Sequence, residues 1–128
     1  MIMRPIVKLE NEHLLLEVFP IGDLDVNCSL ITHRDSQEAL IIDPGNDFAT
    51  TWEILQKRQV HLKLILQTHG HFDHLGQSAR LKKESGAPLY LHPADDYLYQ
   101  TLAQQGNIFG AQVFYDPQGI TGPLSDGQ

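Results

Sequence analysis

Residues 68–74 carry the side chains of this sequence that are best suited to chemistry, in the order Thr-His-Gly-His-Phe-Asp-His. Four groups able to bind metal lie within six positions, at His69, His71, Asp73 and His74. Imidazole and carboxylate are ligand types that divalent metals such as zinc accept. A purely structural zinc site is disfavoured, because such sites are usually rich in cysteine and this segment has none. The segment therefore predicts a catalytic metal site.

The spacing of these ligands favours two metal ions over one. His69 and His71 are two positions apart, so an extended or turning backbone points both imidazoles to one side, toward a metal at about 2.0–2.1 Å. Asp73 and His74 come later and point elsewhere. So short a segment cannot easily bring all four groups to one ion. Two metals about 3.5–4 Å apart, as in two-metal hydrolases, remove this difficulty.

The flanking residues predict the elements that position the segment. Leu62–Leu66 has the pattern of a strand that runs into it, and Leu75–Ser85 that of a helix that runs out of it. The carboxyl end of a strand is where open α/β sheets usually hold their chemistry. Gly70 suits a place where a side chain would crowd the ligands, and Gly76 suits a close approach of the helix to a neighbouring backbone.

Three earlier stretches predict further strands. These are His13–Phe19, which Pro20 is expected to end, Val26–Thr32 and Ala39–Asp43. A polar turn at 34–38 predicts that the second and third of them form an antiparallel hairpin.

A helix is expected after the third strand. Asn46 or Asp47 can cap it, and Phe48, Trp52 and Leu55 form an apolar stripe along it. Trp52 is therefore expected in the core. Together with the strand that precedes the histidines, this helix predicts a parallel, right-handed βαβ unit.

The last third of the chain has a weaker pattern. Leu89–Leu91 predicts a short strand, Pro93–Gln104 a helix that Gly106 stops, and Phe109–Tyr115 a further strand. His92, at the end of the short strand, either lines the site or has a surface or capping role, and the second interpretation is favoured.

Two more residues could take part in chemistry. Asp43 ends the strand next to the one that leads to the histidines. It is either a turn carboxylate or an acceptor that orients a ligand histidine or the metal loop, and it is counted as support rather than as a ligand. Cys28 is interpreted as a small buried hydrophobic residue, since a nucleophilic cysteine would need a neighbouring base.

Composition narrows the class of protein. The chain has 128 residues, of which 41% are hydrophobic, as expected for one globular domain over residues 1–128. Nine basic against sixteen acidic residues give a net charge of −7, which argues against binding of nucleic acid phosphates. No apolar run is long enough for a signal peptide or a membrane span. The single cysteine suits a reducing compartment, so a cytoplasmic location is expected.

The metal segment resembles the signature of the metallo-β-lactamase fold. Residues 27–31, 41–45 and 64–76 together resemble its glyoxalase II (hydroxyacylglutathione hydrolase) branch, and the similarity spans about residues 16–109. The resemblance implies an α/β fold, an αββα sandwich of four layers and roughly 200 residues or more. The C-terminal half of that fold normally supplies further ligands, whereas this chain has no histidine after His92. The expectation is that it holds the N-terminal half.

The resemblance implies a metal-dependent hydrolase in which a metal-bound hydroxide attacks a small thioester such as S-lactoylglutathione. His69 and His71 would hold one metal; Asp73 and His74 would help to hold the other, with Asp73 also orienting the nucleophile. Two zinc ions are expected per intact site, with iron as the alternative metal.

Two other functions stay open. One is an iron-dependent persulfide dioxygenase of the same fold, which metal analysis and oxygen consumption would distinguish. The other is a non-catalytic fragment that binds metal weakly, since each metal would lack at least one of its usual three protein ligands. The uncovered sheet face of such a fragment is expected to favour self-association or recruitment of a missing half.

Overall fold

A computed structural model describes residues 4–128 as a seven-stranded sheet with helices packed against it. The strands are β1 Val7–Glu10, β2 Leu14–Ile21, β3 Val26–His33, β4 Glu38–Ile42, β5 His61–Leu66, β6 Leu89–Leu91 and β7 Gly122–Pro123. The helices are α1 Phe48–Arg58, α2 Phe72–Leu75, α3 Ser78–Ser85, α4 Asp96–Gln100 and α5 Leu102–Phe109, and a 3-10 turn spans Pro93–Asp95. The α/β class predicted from the sequence is confirmed.

The strands lie side by side in the order of the sequence. Strands β1 to β4 are antiparallel, and β4 to β7 are parallel. The predicted β3–β4 hairpin and the predicted parallel β4–α1–β5 unit are both confirmed. Since Ile42 pairs with Leu66, β4 and β5 end at the same edge of the sheet. That edge receives both Asp43 and the metal segment.

One face of the sheet forms the core with the helices. Alternate strand residues point to this face and are buried against helix residues, among them Phe19, Ile21, Leu30, Ile41 and Ile65 from the strands and Ile54, Leu55, Leu75 and Leu81 from the helices. Trp52 packs against this cluster, as predicted. The intervening strand residues on the other face, such as Leu16, Val18, Leu40 and Leu64, are only half-buried. The described residues thus provide one sheet layer and one helix layer, two of the four layers that the resemblance implies.

Pro20 does not end its strand, contrary to the prediction: β2 continues to Ile21. Val18 accepts a hydrogen bond from Ile6 on the β1 side, so Pro20, two residues later, also points its nitrogen to that side. Strand β1 pairs with β2 only as far as Val18. The missing N–H of proline therefore costs no ladder bond here.

The single helix predicted over Leu75–Ser85 is instead two helices. Helix α2 begins at Phe72, within the metal segment, and α3 begins at Ser78. The break lies at Gly76, where an added Cβ would be 2.1 Å from Asn46 Oδ1 and 2.5 Å from the Phe72 carbonyl oxygen. This close approach of a side chain from another element requires glycine at position 76.

The helix predicted over Pro93–Gln104 is also divided, at Thr101, and Gly106 does not stop it. Helix α5 runs through Gly106 and ends at Gly110, which has φ 65°. Gly106 is needed for packing, since an added Cβ would lie 2.8 Å from the Ala111 carbonyl oxygen. The strand predicted over Phe109–Tyr115 is absent: Phe109 is the last residue of α5, and Phe114 N–H donates to the Gly76 carbonyl rather than to a strand. Among residues 4–128, no helix is long and apolar enough to span a membrane.

Candidate metal centre

Three side chains from different elements form a cluster at the edge of the sheet. Asp43 follows β4, His69 follows β5 and His74 lies in α2, and their ligand atoms are all within 4.8 Å of one another. The imidazole centroids of His69 and His74 are 3.9 Å apart. The more exposed ring of His71 lies edge-on to His69 at 4.9 Å. The structure therefore brings the three histidines of the segment together and adds Asp43.

Asp43 is buried and has a left-handed backbone. Its exposed fraction is 4% and its φ is 53°, a conformation that aspartate tolerates better than most side chains. Its carboxylate accepts from both the backbone N–H (2.8 Å) and the hydroxyl of Thr68. The buried Gln67 amide, oriented so that its oxygen accepts from Ser78 Oγ, donates to Asp43 Oδ1 at 3.3 Å. The carboxylate thus connects the end of β4 to the start of the metal segment.

His74 contacts two carboxylates through its two ring nitrogens. Nδ1 is 2.9 Å from Asp43 Oδ2, and Nε2 is 3.5 Å from Asp73 Oδ2. Donation from Nδ1–H to Asp43 leaves a lone pair on Nε2, the tautomer that a metal ligand needs. Two ligands of a tetrahedral metal with bonds of about 2.1 Å lie roughly 3.4 Å apart. The separation of His74 Nε2 from Asp73 Oδ2 therefore suits a shared ion.

Thr68 connects His69 to the same carboxylate, a role that the sequence did not indicate. Its hydroxyl is 2.9 Å from His69 Nδ1 and also contacts Asp43 Oδ2. A hydroxyl has one proton, so donation to Asp43 leaves its oxygen to accept from His69 Nδ1–H. His69 then has its lone pair on Nε2. Asp43 thus orients His74 directly and His69 through Thr68, which is the arrangement expected of a carboxylate that supports ligand histidines.

The electrostatics of the cluster favour neutral imidazole at His69. Burial lowers the pKa of His69, and so does the neighbouring His74 ring, while Asp43 acts in the opposite direction. Neutral imidazole is the form that binds metal.

Gly70 is needed for packing against α4 rather than for space around the ligands, contrary to the expectation. An added Cβ would lie 2.7 Å from Leu98 Cβ and 3.0 Å from the Asp95 carbonyl oxygen. The glycine lets helix α4 approach the metal segment from the side.

The other candidate residues lie outside the cluster. His92 Nδ1 accepts from Ala94 N–H at 3.1 Å, which is a capping role, as the sequence predicts. Cys28 is 2% exposed, and burial, with a smaller effect of Asp43, raises its pKa to about 12. A thiol with that pKa stays protonated near neutrality, so Cys28 is a core residue, as interpreted from the sequence.

A cavity of about 750 Å³ adjoins Asp73. Phe48, Phe72 and Phe109 are among the residues that line it. Arg80 is the basic residue on its wall within the described part of the chain, and its guanidinium carbon lies 4.0 Å from the centroid of the Phe48 ring. Polar side chains, four aspartates among them, line much of the rest of the wall. A cavity of this size is typical of small-molecule sites.

Fold and cluster together define a superfamily. The family model of the metallo-beta-lactamase superfamily matches residues 21–124, and the chain belongs to this superfamily. Among curated relatives, it is 34% identical over 96 residues to the hydroxyacylglutathione hydrolase GloC of Haemophilus influenzae, covering 74% of this chain and 45% of the relative. It is 39% identical over 85 residues to an uncharacterized protein of Aquifex aeolicus, covering 66% and 39%. The chain thus spans less than half the length of these two relatives.

Solved structures show the same fold. The di-iron-bound form of TTHA1623 is 32% identical with a TM-score of 0.74, and the match covers 87% of this chain and 56% of that one. The BLEG-1 B3 metallo-beta-lactamase is 26% identical, also with a TM-score of 0.74, and the match covers 87% and 53%.

Proposed function

We propose that the protein containing this chain hydrolyses a small thioester with the help of bound metal, S-lactoylglutathione being the first substrate to test. The observation that carries the proposal is the contact of His74 with Asp43 through Nδ1 and with Asp73 through Nε2, at 2.9 and 3.5 Å. These contacts leave His74 Nε2 free to bind metal beside the Asp73 carboxylate, and Asp73 lines a cavity of ligand size. Similarity to a hydroxyacylglutathione hydrolase supports the thioester class.

His69 and His71 would hold one metal, and Asp73 and His74 would help to hold a second. A bound metal supplies a water whose pKa is lowered toward neutral and polarises the carbonyl of the substrate. Zinc is the metal proposed first; iron is the alternative, since the structural neighbour TTHA1623 was solved in a di-iron-bound form.

Side chains of this chain would orient the metal ligands, the attacking water and the substrate. Asp43 keeps both ligand histidines in the metal-binding tautomer, directly at His74 and through Thr68 at His69. Asp73 would orient the attacking water, because its carboxylate contacts His74 and Asp73 also lines the cavity. Arg80, held against Phe48, would bind a carboxylate of the substrate.

Hydrolysis assays of the purified, metal-loaded protein test the proposal. We expect release of thiol from S-lactoylglutathione that a chelator abolishes and added metal restores. Arg80→Ala should raise KM with little change in kcat, whereas Lys83→Ala, on the same helix and exposed, should change neither. Absence of thioester hydrolysis in metal-loaded protein would refute the proposal.

A persulfide dioxygenase is the second candidate, favoured by the composition of the cluster. Asp43, His69 and His74 amount to two histidines and one carboxylate, the ligand set of many mononuclear iron oxygenases. Against it, the Asp43 carboxylate already accepts bonds from Thr68 and His74. If the protein consumes oxygen in the presence of a persulfide and contains one iron per chain, it is a dioxygenase and not a hydrolase.

A further inference from the structure

Helices α4 and α5 hold the backbone of residues 69–72, here called the ligand loop. Gln105 Oε1 accepts from Phe72 N–H at 2.9 Å, and its Nε2 donates to the carbonyls of Gly70 (3.3 Å) and Leu98 (2.8 Å). Asp95 Oδ2 accepts from Gly70 N–H at 3.2 Å. One amide side chain thus binds both a donor and an acceptor of the ligand loop.

The Gln105 contacts meet a need of the loop itself. Phe72 is the first residue of α2, and the first N–H groups of a helix have no partner within it. His71 occupies the N-cap position but makes no side-chain capping bond. Gln105 supplies the missing acceptor from 33 residues away. Because it also binds the Gly70 carbonyl, it fixes the peptide groups on both sides of His71.

We infer that Gln105 is a positioning residue for the ligand loop. It holds the extended backbone of His71, at φ −75° and ψ 146°, so that the His71 ring lies edge-on to the His69 ring. The inference rests on the proposed function in that these rings serve as metal ligands. Stacking of Phe109 on Phe72, with ring centroids 4.9 Å apart, holds α5 against the same loop.

Two measurements on Gln105→Ala test the inference. In metal-free protein, the Phe72 amide should exchange with solvent at least about tenfold faster, because its acceptor is gone. In a titration with Zn²⁺ or Co²⁺, the affinity should fall about 10–100-fold, as for other side chains that orient metal ligands. Gln104→Ala is the matched control: Gln104 precedes Gln105 in the same helix and is exposed, so both quantities should stay at their wild-type values.

A third variant separates the two functions of the amide. Gln105→Glu keeps an acceptor for Phe72 N–H but loses the donor to Gly70 and Leu98. Phe72 should then stay protected from exchange, and metal affinity should lie between those of the wild type and Gln105→Ala.

A loss of stability alone would overturn the inference. In that case Gln105→Ala would have a lower Tm. At temperatures well below the unfolding transition, however, its Phe72 exchange rate and its metal affinity would equal those of the wild type. The exchange measurement needs neither metal nor turnover, so it distinguishes this inference from the proposed function. If Gln105→Ala speeds Phe72 exchange in a protein that binds metal but cleaves no thioester, the positioning role of Gln105 is supported and the proposed thioester substrate is refuted.

Discussion

His74 Nδ1 lies 2.9 Å from Asp43 Oδ2, although the two residues are 31 positions apart in the sequence. The contact joins the end of β4 to helix α2 at the edge of the sheet. It also determines which nitrogen of His74 faces Asp73. Asp43 therefore acts on the candidate metal centre through hydrogen bonds.

Asp43→Asn should lower metal affinity about 10–100-fold, the usual effect of removing a carboxylate that orients a ligand. Asparagine tolerates the left-handed backbone at this position. Its side-chain amide has one oxygen, however, so it cannot replace the two carboxylate oxygens that accept bonds from Thr68 and His74. Isothermal titration with Zn²⁺ measures the change. Asp47→Asn is the control, because asparagine caps a helix as well as aspartate does and Asp47 caps α1. Equal affinities in the two variants would contradict the role of Asp43.

His71→Ala should lower bound metal and hydrolytic activity together. The imidazole is exposed, so the fold should be nearly unaffected, with a change in unfolding free energy within about 0.5 kcal/mol. Elemental analysis of the purified variant measures metal per chain. His13→Ala, which removes an exposed histidine far from the loop in sequence, should keep the full metal content. Normal metal content in His71→Ala would rule out this residue as a ligand.

Arg58→Ala should destabilise the protein by about 3 kcal/mol, because it leaves a buried carboxylate without its partner. Arg58 contacts both oxygens of Glu17 at 2.7 and 2.8 Å, and the Glu17 side chain is 5% exposed. The ion pair between Arg34 and Glu10 is the control: both side chains are about half exposed, so Arg34→Ala should cost less than about 1 kcal/mol. Urea unfolding compares the two variants. Similar losses would show that burial does not distinguish the pairs.

Tyr99→Phe should change how stability depends on pH above 10. The buried Tyr99 hydroxyl donates to the Asp116 carbonyl at 2.6 Å, and burial raises its pKa to about 12 although this bond acts to lower it. Because the folded pKa exceeds the ordinary value of about 10, the contribution of Tyr99 is present below pH 10 and is lost as pH rises toward 12.

At pH 8, Tyr99→Phe should be less stable by about 1 kcal/mol, since it removes one hydrogen bond. The difference from the wild type should shrink between pH 10 and 12. Urea unfolding at several pH values measures it, and Tyr97→Phe, an exposed tyrosine in the same helix, should follow the wild type. A pH-independent difference between wild type and Tyr99→Phe would contradict the raised pKa.

Local patterns in the sequence were enough to predict much of the sheet. The β3–β4 hairpin, the parallel β4–α1–β5 unit and the Asp47 cap follow from alternation, turn residues and capping preferences over a few neighbouring positions. The density of metal-binding side chains between His69 and His74 is likewise a property of consecutive residues. These features need no knowledge of distant contacts, and the membership in the superfamily agrees with them.

Tertiary contacts decided the rest. The pairing of Ile42 with Leu66 brings Asp43 next to Thr68, 25 positions away, and so makes one carboxylate the partner of two histidines. Glycine is required at positions 76 and 106 by the approach of Asn46 and of the chain after α5. Gln105 reaches the ligand loop only because α5 packs beside it. Such contacts depend on the packing of whole elements, and no short stretch of residues specifies them.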